Sequence, residues 1–90
     1  MHRLVYTAEA KKEIQNLPKG IQRQLKGAAE RLAANPQIGK RLTQELSSFW
    51  SYRSGDYRIL YKIFHQEVVV MILTVGDRKT VYEKASRRLK

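Results

Sequence analysis

The chain predicts an α+β domain, β-α-α-β-β-β-α, with a small, mainly antiparallel sheet, a helix hairpin on one face and a short basic C-terminal helix. Three observations carry this expectation. Apolar residues recur at helical spacing in two adjacent segments, first Ala10, Ile14 and Leu17, then Ile21, Leu25, Ala28 and Leu32. Two runs rich in β-branched and aromatic residues, Tyr57 to Phe64 and Val68 to Val75, are separated only by a short polar break. Thr80 and Glu83 have the spacing of a capping box and open a last helix at Val81. The 90 residues make one domain, spanning 1–90.

In chain order, Arg3 to Thr7 reads as a short opening strand. Thr7 is a good N-cap, and Glu9 in the first turn suits the helix dipole. Pro18 ends the first helix at about Asn16 and can serve as the first-turn residue of the second. Lys19, Arg23, Lys26, Glu30 and Arg31 lie mostly off the apolar stripe of the second helix, and Asn35-Pro36 stops it. With so short a connection the two helices form an antiparallel hairpin. Between residues 37 and 48, Gly39 marks a turn, Lys40-Arg41 reads as a basic pair on an exposed loop, and Leu42 and Leu46 anchor the segment. Ser54-Gly55-Asp56 is a turn signal, so 49–53 pairs with 57–64. Val68 to Val75 is apolar on both faces, as a central strand is. In the last helix Val81, Ala85 and Leu89 make a thin apolar stripe, and Lys84, Arg87, Arg88 and Lys90 coat the rest, so marginal docking is expected.

Alternation along the strands separates two faces. If Phe64 pairs with Glu67 across a two-residue turn, Tyr57, Ile59, Tyr61 and Ile63 share a face with Val68, Val70, Ile72 and Thr74, and this face receives the hairpin. The other face carries Arg58, Leu60, Lys62 and Phe64 with Glu67, Val69, Met71 and Leu73. An arginine in mid-sheet between leucines needs a partner or a ligand. The same register brings Arg53 and Arg58 to the sheet edge that holds Arg78 and Tyr82, with Arg53 opposite Arg78. Three cations and a phenol at one edge point to a phosphodiester. Asp56 and Asp77 are expected to brace these arginines by ion pairs.

Eighteen Lys and Arg against eight acids give a net charge of +10. The excess is spread along the chain, +4 over residues 1–39 and +6 over 40–90. Such a surface favours polyanionic partners: RNA, DNA, an acidic protein or an anionic membrane. Without cysteine there is no disulfide framework and no thiolate metal site, which fits a reducing cytosol. The longest apolar run, Val68 to Leu73, is too short to span a bilayer, so a soluble cytoplasmic protein with no membrane role is expected. No nucleotide-binding glycine loop, no HExxH and no acidic calcium loop occurs, so no cofactor or metal is expected. The two histidines are far apart, and His65 falls in a hairpin turn.

Tyr52-Arg53-Ser54-Gly55-Asp56-Tyr57-Arg58-Ile59-Leu60-Tyr61, Val75 to Tyr82 and the Leu17-Pro18 hairpin resemble the RelE/ParE superfamily of toxin–antitoxin toxins, RelE branch, over nearly the whole length. The resemblance implies a toxin that enters the ribosomal A site and cuts the mRNA codon there. It also implies a cognate, RelB-like and acidic antitoxin that wraps it. Carried over by position, Arg58 is the strand arginine that stabilises the reacting phosphate, Arg78 the second arginine, and Tyr82 the tyrosine that stacks on a base or orients the attacking group. The lysine pair of well-studied members falls at about Phe49 and Ser51 here, and Asp77 rather than a histidine precedes Arg78. Lys79, Lys62, Arg53 and Glu45 are the remaining candidates for a base.

The residue types suit RNA cleavage, because RNA carries its own nucleophile, the 2′-OH. Alignment, which the resemblance implies the ribosome provides, can supply on the order of 7–11 kcal/mol in well-oriented intramolecular reactions. Arginines aimed at the non-bridging oxygens supply charge stabilisation. Lys40, Arg41, Arg53, Lys62, Lys79, Arg87 and Arg88 are expected to form the RNA-binding surface. Two other readings fit the same fold: a ParE-like poison of DNA gyrase, and a non-catalytic module that binds nucleic acid or antitoxin.

Overall fold

The computed structural model describes residues 1–88. The chain runs β1 (Arg3–Tyr6), α1 (Ala8–Gln15), α2 (Lys19–Ala34), β2 (Lys40–Arg41), β3 (Trp50–Ser54), β4 (Tyr57–Phe64), β5 (Val69–Asp77) and α3 (Val81–Arg88). The predicted order holds with one addition. Lys40 and Arg41 are exposed, as a loop would be, yet they pair with Ser51 and Trp50 as the short edge strand β2. The sheet order is β1-β5-β4-β3-β2, with β1 parallel to β5 and the other pairs antiparallel. Leu89 and Lys90, the end of the expected last apolar stripe and basic coat, lie outside the described residues.

Local chemistry accounts for the elements. The Thr7 hydroxyl accepts the Ala10 N–H and caps α1. Pro18 precedes α2 as its N-cap, and Asn35-Pro36 ends it. Gly55, at φ +61°, takes the left-handed first position of a two-residue turn between β3 and β4, the conformation that the twist of a hairpin favours.

The sheet is buried on both sides. Ala10 of α1 and Leu25, Ala28 and Leu32 of α2 pack on Ile59, Tyr61, Ile63, Val70, Ile72 and Val75. On the opposite face Val81 and Ala85 of α3 pack on Phe49, Leu60 and Leu73, flanked by Leu42 and Leu46. Docking of α3 is not marginal: Val81 and Ala85 are both 0% exposed.

The β4–β5 register differs from the simple hairpin. A four-residue turn, His65 to Val68, joins the strands, and Phe64 pairs with Val69. Val68 therefore sits in the turn at φ +56°, partly exposed, and not on the hairpin-facing side. Further along, Tyr61 pairs with Ile72 but Leu60 pairs with Thr74, leaving Leu73 as an extra residue. This bulge shifts the alternation by one, so Val75 rather than Thr74 joins Ile59 under the hairpin.

The bulge falls where β1 stops. Tyr6, the last residue of β1, pairs with Ile72, and beyond that point β5 has no strand on its β1 side. Side chains take over the backbone groups there. The Thr7 hydroxyl donates to the Leu73 carbonyl at 2.7 Å, and Lys84 donates to the Val75 carbonyl at 2.9 Å. Glu13 accepts the Val75 N–H at 3.0 Å and the Thr74 hydroxyl at 2.8 Å. Its carboxylate also pairs with Lys84 at 2.8 Å and Arg88 at 2.9 Å. Burial raises the Glu13 pKa, but the hydrogen bonds from Lys84, Val75, Arg88 and Thr74 outweigh it and hold the carboxyl below its ordinary 4.5.

Replacing Glu13 by Gln is expected to destabilise the fold by about 3 kcal/mol at neutral pH. Glu13, Lys84 and Arg88 are only partly buried and both cations can still reach water, so the value is taken from the low end of the range for breaking a buried ion pair. A carboxyl whose folded pKa is depressed stabilises fully above the ordinary value of 4.5 and loses that contribution as pH falls through the folded pKa. Urea unfolding of both proteins should therefore show the gap between wild type and Glu13→Gln closing as the pH is lowered below about 4.5, while an unchanged gap would remove the charge from this account.

Candidate functional site

Residues directly opposite in an antiparallel sheet share a face. One row on the α3 face is Arg53, Arg58 and Gly76, on β3, β4 and β5. The next row is Lys40, Ser51 and Leu60, on β2, β3 and β4. The first row sets two arginines directly opposite each other, an arrangement that destabilises a sheet. Arg53 is exposed and turns its Nε to the Gly55 carbonyl at 3.1 Å. Arg58 is half-buried, and its Nε, shielded from solvent, has no hydrogen-bond partner among the described residues. A buried N–H left unpaired costs about 1–3 kcal/mol. Among the described residues no hydrogen bond offsets that cost, whereas an anion over this row would.

Tyr82 stands in the first turn of α3. Its ring packs on the Phe49–Leu60–Leu73 cluster, and its Oη lies 3.1 Å from Ser51 Oγ. Arg58 and Tyr82 thus share the face and the sheet end, as expected. Arg53 is opposite Arg58 rather than Arg78, because β4 lies between β3 and β5. Arg78 is exposed in the turn after β5, two residues beyond Gly76. Asp77 locks that turn: one carboxylate oxygen accepts the Lys79 N–H at 2.9 Å, the Thr80 N–H at 3.0 Å and the Thr80 hydroxyl at 3.2 Å. These bonds, the Lys79 N–H first, hold the Asp77 carboxyl below its ordinary 3.8. Asp77 therefore braces the turn and not an arginine. Among the described residues neither Asp56 nor Asp77 forms an ion pair.

The expected RNA-binding cations divide. Lys40 shares the Arg58 face, and Lys62 lies there over the Phe64 ring at 5.1 Å. Arg41, opposite Trp50, belongs to the hairpin face, with its Nε 3.5 Å from the Ser47 carbonyl. Lys79 is exposed in the β5–α3 turn, and Arg87 is exposed with Glu83 at 3.9 Å. Arg88 departs from expectation. Its guanidinium is bound to Glu13 and to the Leu73 carbonyl, so it belongs to the scaffold rather than to a free basic surface. Glu45 is exposed in the 3-10 turn Gln44–Leu46.

Sequence reasoning missed Glu13, Ser51 and Lys84. The only local signal was the spacing of Lys84 and Arg88, which puts two cations on one helix face. Away from this face, a groove of about 470 Å³ between β1, α1 and α2 has Tyr6, Ile14 and Leu25 in its lining together with Lys11, Lys19, Arg23 and Lys26. Among the described residues no three His, Cys, Asp or Glu side chains gather, and no helix is long and apolar enough to cross a membrane.

Residues 4–82 match a family described as the ParE toxin of type II toxin–antitoxin systems, parDE. The chain is 33% identical over 81 residues to toxin RelG of Mycobacterium tuberculosis, covering 88% of this chain and 93% of that one. It is 28% identical over 90 residues to the mRNA interferase toxin RelE of Escherichia coli, covering 96% and 95%. Among solved structures it is similar to a chain of the RelBE2 toxin–antitoxin complex of M. tuberculosis, with TM-score 0.81, 33% identity and coverage of 86% and 98%. It is also similar to the isolated E. coli RelE toxin, with TM-score 0.75, 25% identity and full coverage of both chains.

An arginine kept for a ligand should be a liability to the free protein. Arg58→Met keeps the aliphatic stem and removes both the unpaired N–H and the like-charge opposition. It is expected to raise stability by about 1 kcal/mol, read as a higher urea midpoint at unchanged slope. A loss of stability would mean that Arg58 serves the fold.

Proposed function

We infer the activity from one premise: the chain belongs to the ParE toxin family of type II toxin–antitoxin systems and is the toxin of such a pair. It is an endoribonuclease of the mRNA interferase kind. Its substrate is mRNA held in the ribosomal A site, it acts in the cytoplasm, and cleavage is metal-independent. The observation that carries this reading is Arg58, a half-buried arginine set against a second arginine with its Nε unpaired.

The chemistry follows from the position of that group. The 2′-oxygen of the codon attacks the adjacent phosphorus, its proton leaves, and the P–O5′ bond breaks with protonation of the 5′-oxygen. Negative charge grows on the non-bridging oxygens, where the Arg58 guanidinium meets it with donors that need no reorganisation. Arg78, held out on the Asp77-locked turn, adds charge from the β5 side. The Tyr82 ring offers a base a stacking surface worth about 1–3 kcal/mol. Its hydroxyl is engaged by Ser51, which fits a stacking role better than proton transfer. The ribosome supplies in-line alignment.

The partner is a cognate, RelB-like antitoxin. The solved relatives include RelBE and archaeal RelE–RelB complexes. The groove between β1, α1 and α2 joins an apolar floor to four cations, which fits an acidic amphipathic segment. The family description names ParE, and this favours a second reading in which the target is DNA gyrase.

Expression alone should arrest growth, and the acidic protein of the adjacent reading frame should rescue it. Primer extension on mRNA from translating ribosomes should show cuts within A-site codons, with gyrase supercoiling intact. Inhibited gyrase with intact mRNA would select the second reading. Arg58→Ala should lower single-turnover cleavage on programmed ribosomes by about 10²–10³-fold. Tyr82→Phe should stay within several-fold of wild type and Tyr82→Ala should lose activity; equal losses would assign the work to the hydroxyl.

A further inference from the structure

The α3 face holds one more cation whose placement is built in. Lys40 lies on β2 directly opposite Ser51, the residue whose hydroxyl meets Tyr82. The segment before it is fixed to the core. Tyr61 is 0% exposed and donates its phenol to the Pro36 carbonyl at 2.6 Å. Burial pushes that phenol up to about 12, so it remains a donor. Gly39 packs so closely that a side-chain carbon there would clash with Tyr61 Oη and lie 2.7 Å from the Ser51 carbonyl. A larger residue at 39 would force a shift of β2, β3 or the Tyr61 ring. Lys40 therefore leaves a rigid backbone toward the Arg58 face, while Arg41 leaves toward the other.

Lys40 is exposed and forms no ion pair among the described residues. From β2 to β4 is two strand spacings, and Arg58 is offset by two residues along the sheet. Strand geometry puts the two Cα atoms about 12 Å apart. That span is short enough for two long cationic side chains to meet one phosphate, on the face where Tyr82 packs.

We propose that Lys40 is a catalytic residue that contacts the scissile phosphate from the β2 side, opposite Arg58. The proposal rests on the mRNA-cleavage reading above. Its contribution is charge and hydrogen bonding to the phosphate oxygens, with no proton transfer assigned to it. On this face β3 carries Arg53, whose Nε is turned to the Gly55 carbonyl, and beside Tyr82 it offers only Ser51; β2 brings a cation to that row.

The experiment measures single-turnover cleavage on programmed ribosomes, with ribosome binding measured separately. Lys40→Ala is expected to lower cleavage of bound mRNA by about 10²-fold, while ribosome binding changes by less than about three-fold. Lys40→Arg should keep the rate within about ten-fold, because it keeps the charge. Lys12→Ala, which removes a cation from α1, should match wild type. A second arm needs no cleavage: a 2′-deoxy trinucleotide is titrated into the labelled protein and followed at Ser51 and Arg58. Lys40→Ala should weaken its binding about ten-fold, the effect of losing one charged hydrogen bond. Wild-type cleavage by bound Lys40→Ala together with unchanged trinucleotide affinity would overturn the proposal and leave Arg58 untouched. A wild type that fails to cut mRNA, yet binds the trinucleotide through Lys40, would overturn the cleavage reading and support Lys40 as the phosphate cation. Lys40→Arg falling as far as Lys40→Ala would overturn the charge-only role.

Discussion

The Glu13 carboxylate is the constraint on which the rest depends. β5 has nine residues and β1 only four, so β5 is a central strand in its first half and an edge in its second. The exposed half would leave backbone groups unpaired in a half-buried setting. Glu13 takes the Val75 N–H, and the two cations it attracts bring α3 down onto the other face. Lys84 completes the exchange by donating to the Val75 carbonyl. One side chain of α1 thus satisfies the strand and orients the helix that carries Tyr82. Such a network is strong when every member is paired, as this one is, and fragile when one is removed.

The two faces of the sheet are built to different ends. Under the hairpin, apolar side chains from α1, α2, β4 and β5 fill the core, and the bulge at Leu73 lets both halves of β5 contribute to it. Under α3 the core is smaller, and the row beside it opposes two arginines and leaves Arg58 Nε unpaired. Stability is concentrated on one face and the sites of frustration on the other. That division is expected where a surface is shaped for a polyanion rather than for the free protein.

Much of this was legible along the chain. Helices, caps and turns depend on neighbours a few residues away, so Thr7, Pro18, Asn35-Pro36 and Ser54-Gly55-Asp56 marked their boundaries correctly. Alternation marked the face that carries Arg58, and the motif around it marked the family. Arg88 shows the limit of such reading. Its composition and helix position describe a solvated cation, but its partner is 75 positions away on α1.

The element order, the hairpin-facing side of β4, the basic character of the surface and the grouping of Arg58 with Tyr82 could be read along the chain. Those properties follow from local periodicity and from residue type. Tertiary structure alone decided which cations are free and which belong to the scaffold. It also decided that Arg53 faces Arg58, that β2 sets Lys40 beside Ser51, and that a bulge puts Val75 rather than Thr74 into the core. The physical reason is that strand register and ion pairing are settled between segments that meet only after folding. A one-residue bulge or a carboxylate on a distant helix can reassign a side chain without altering any pattern along the chain.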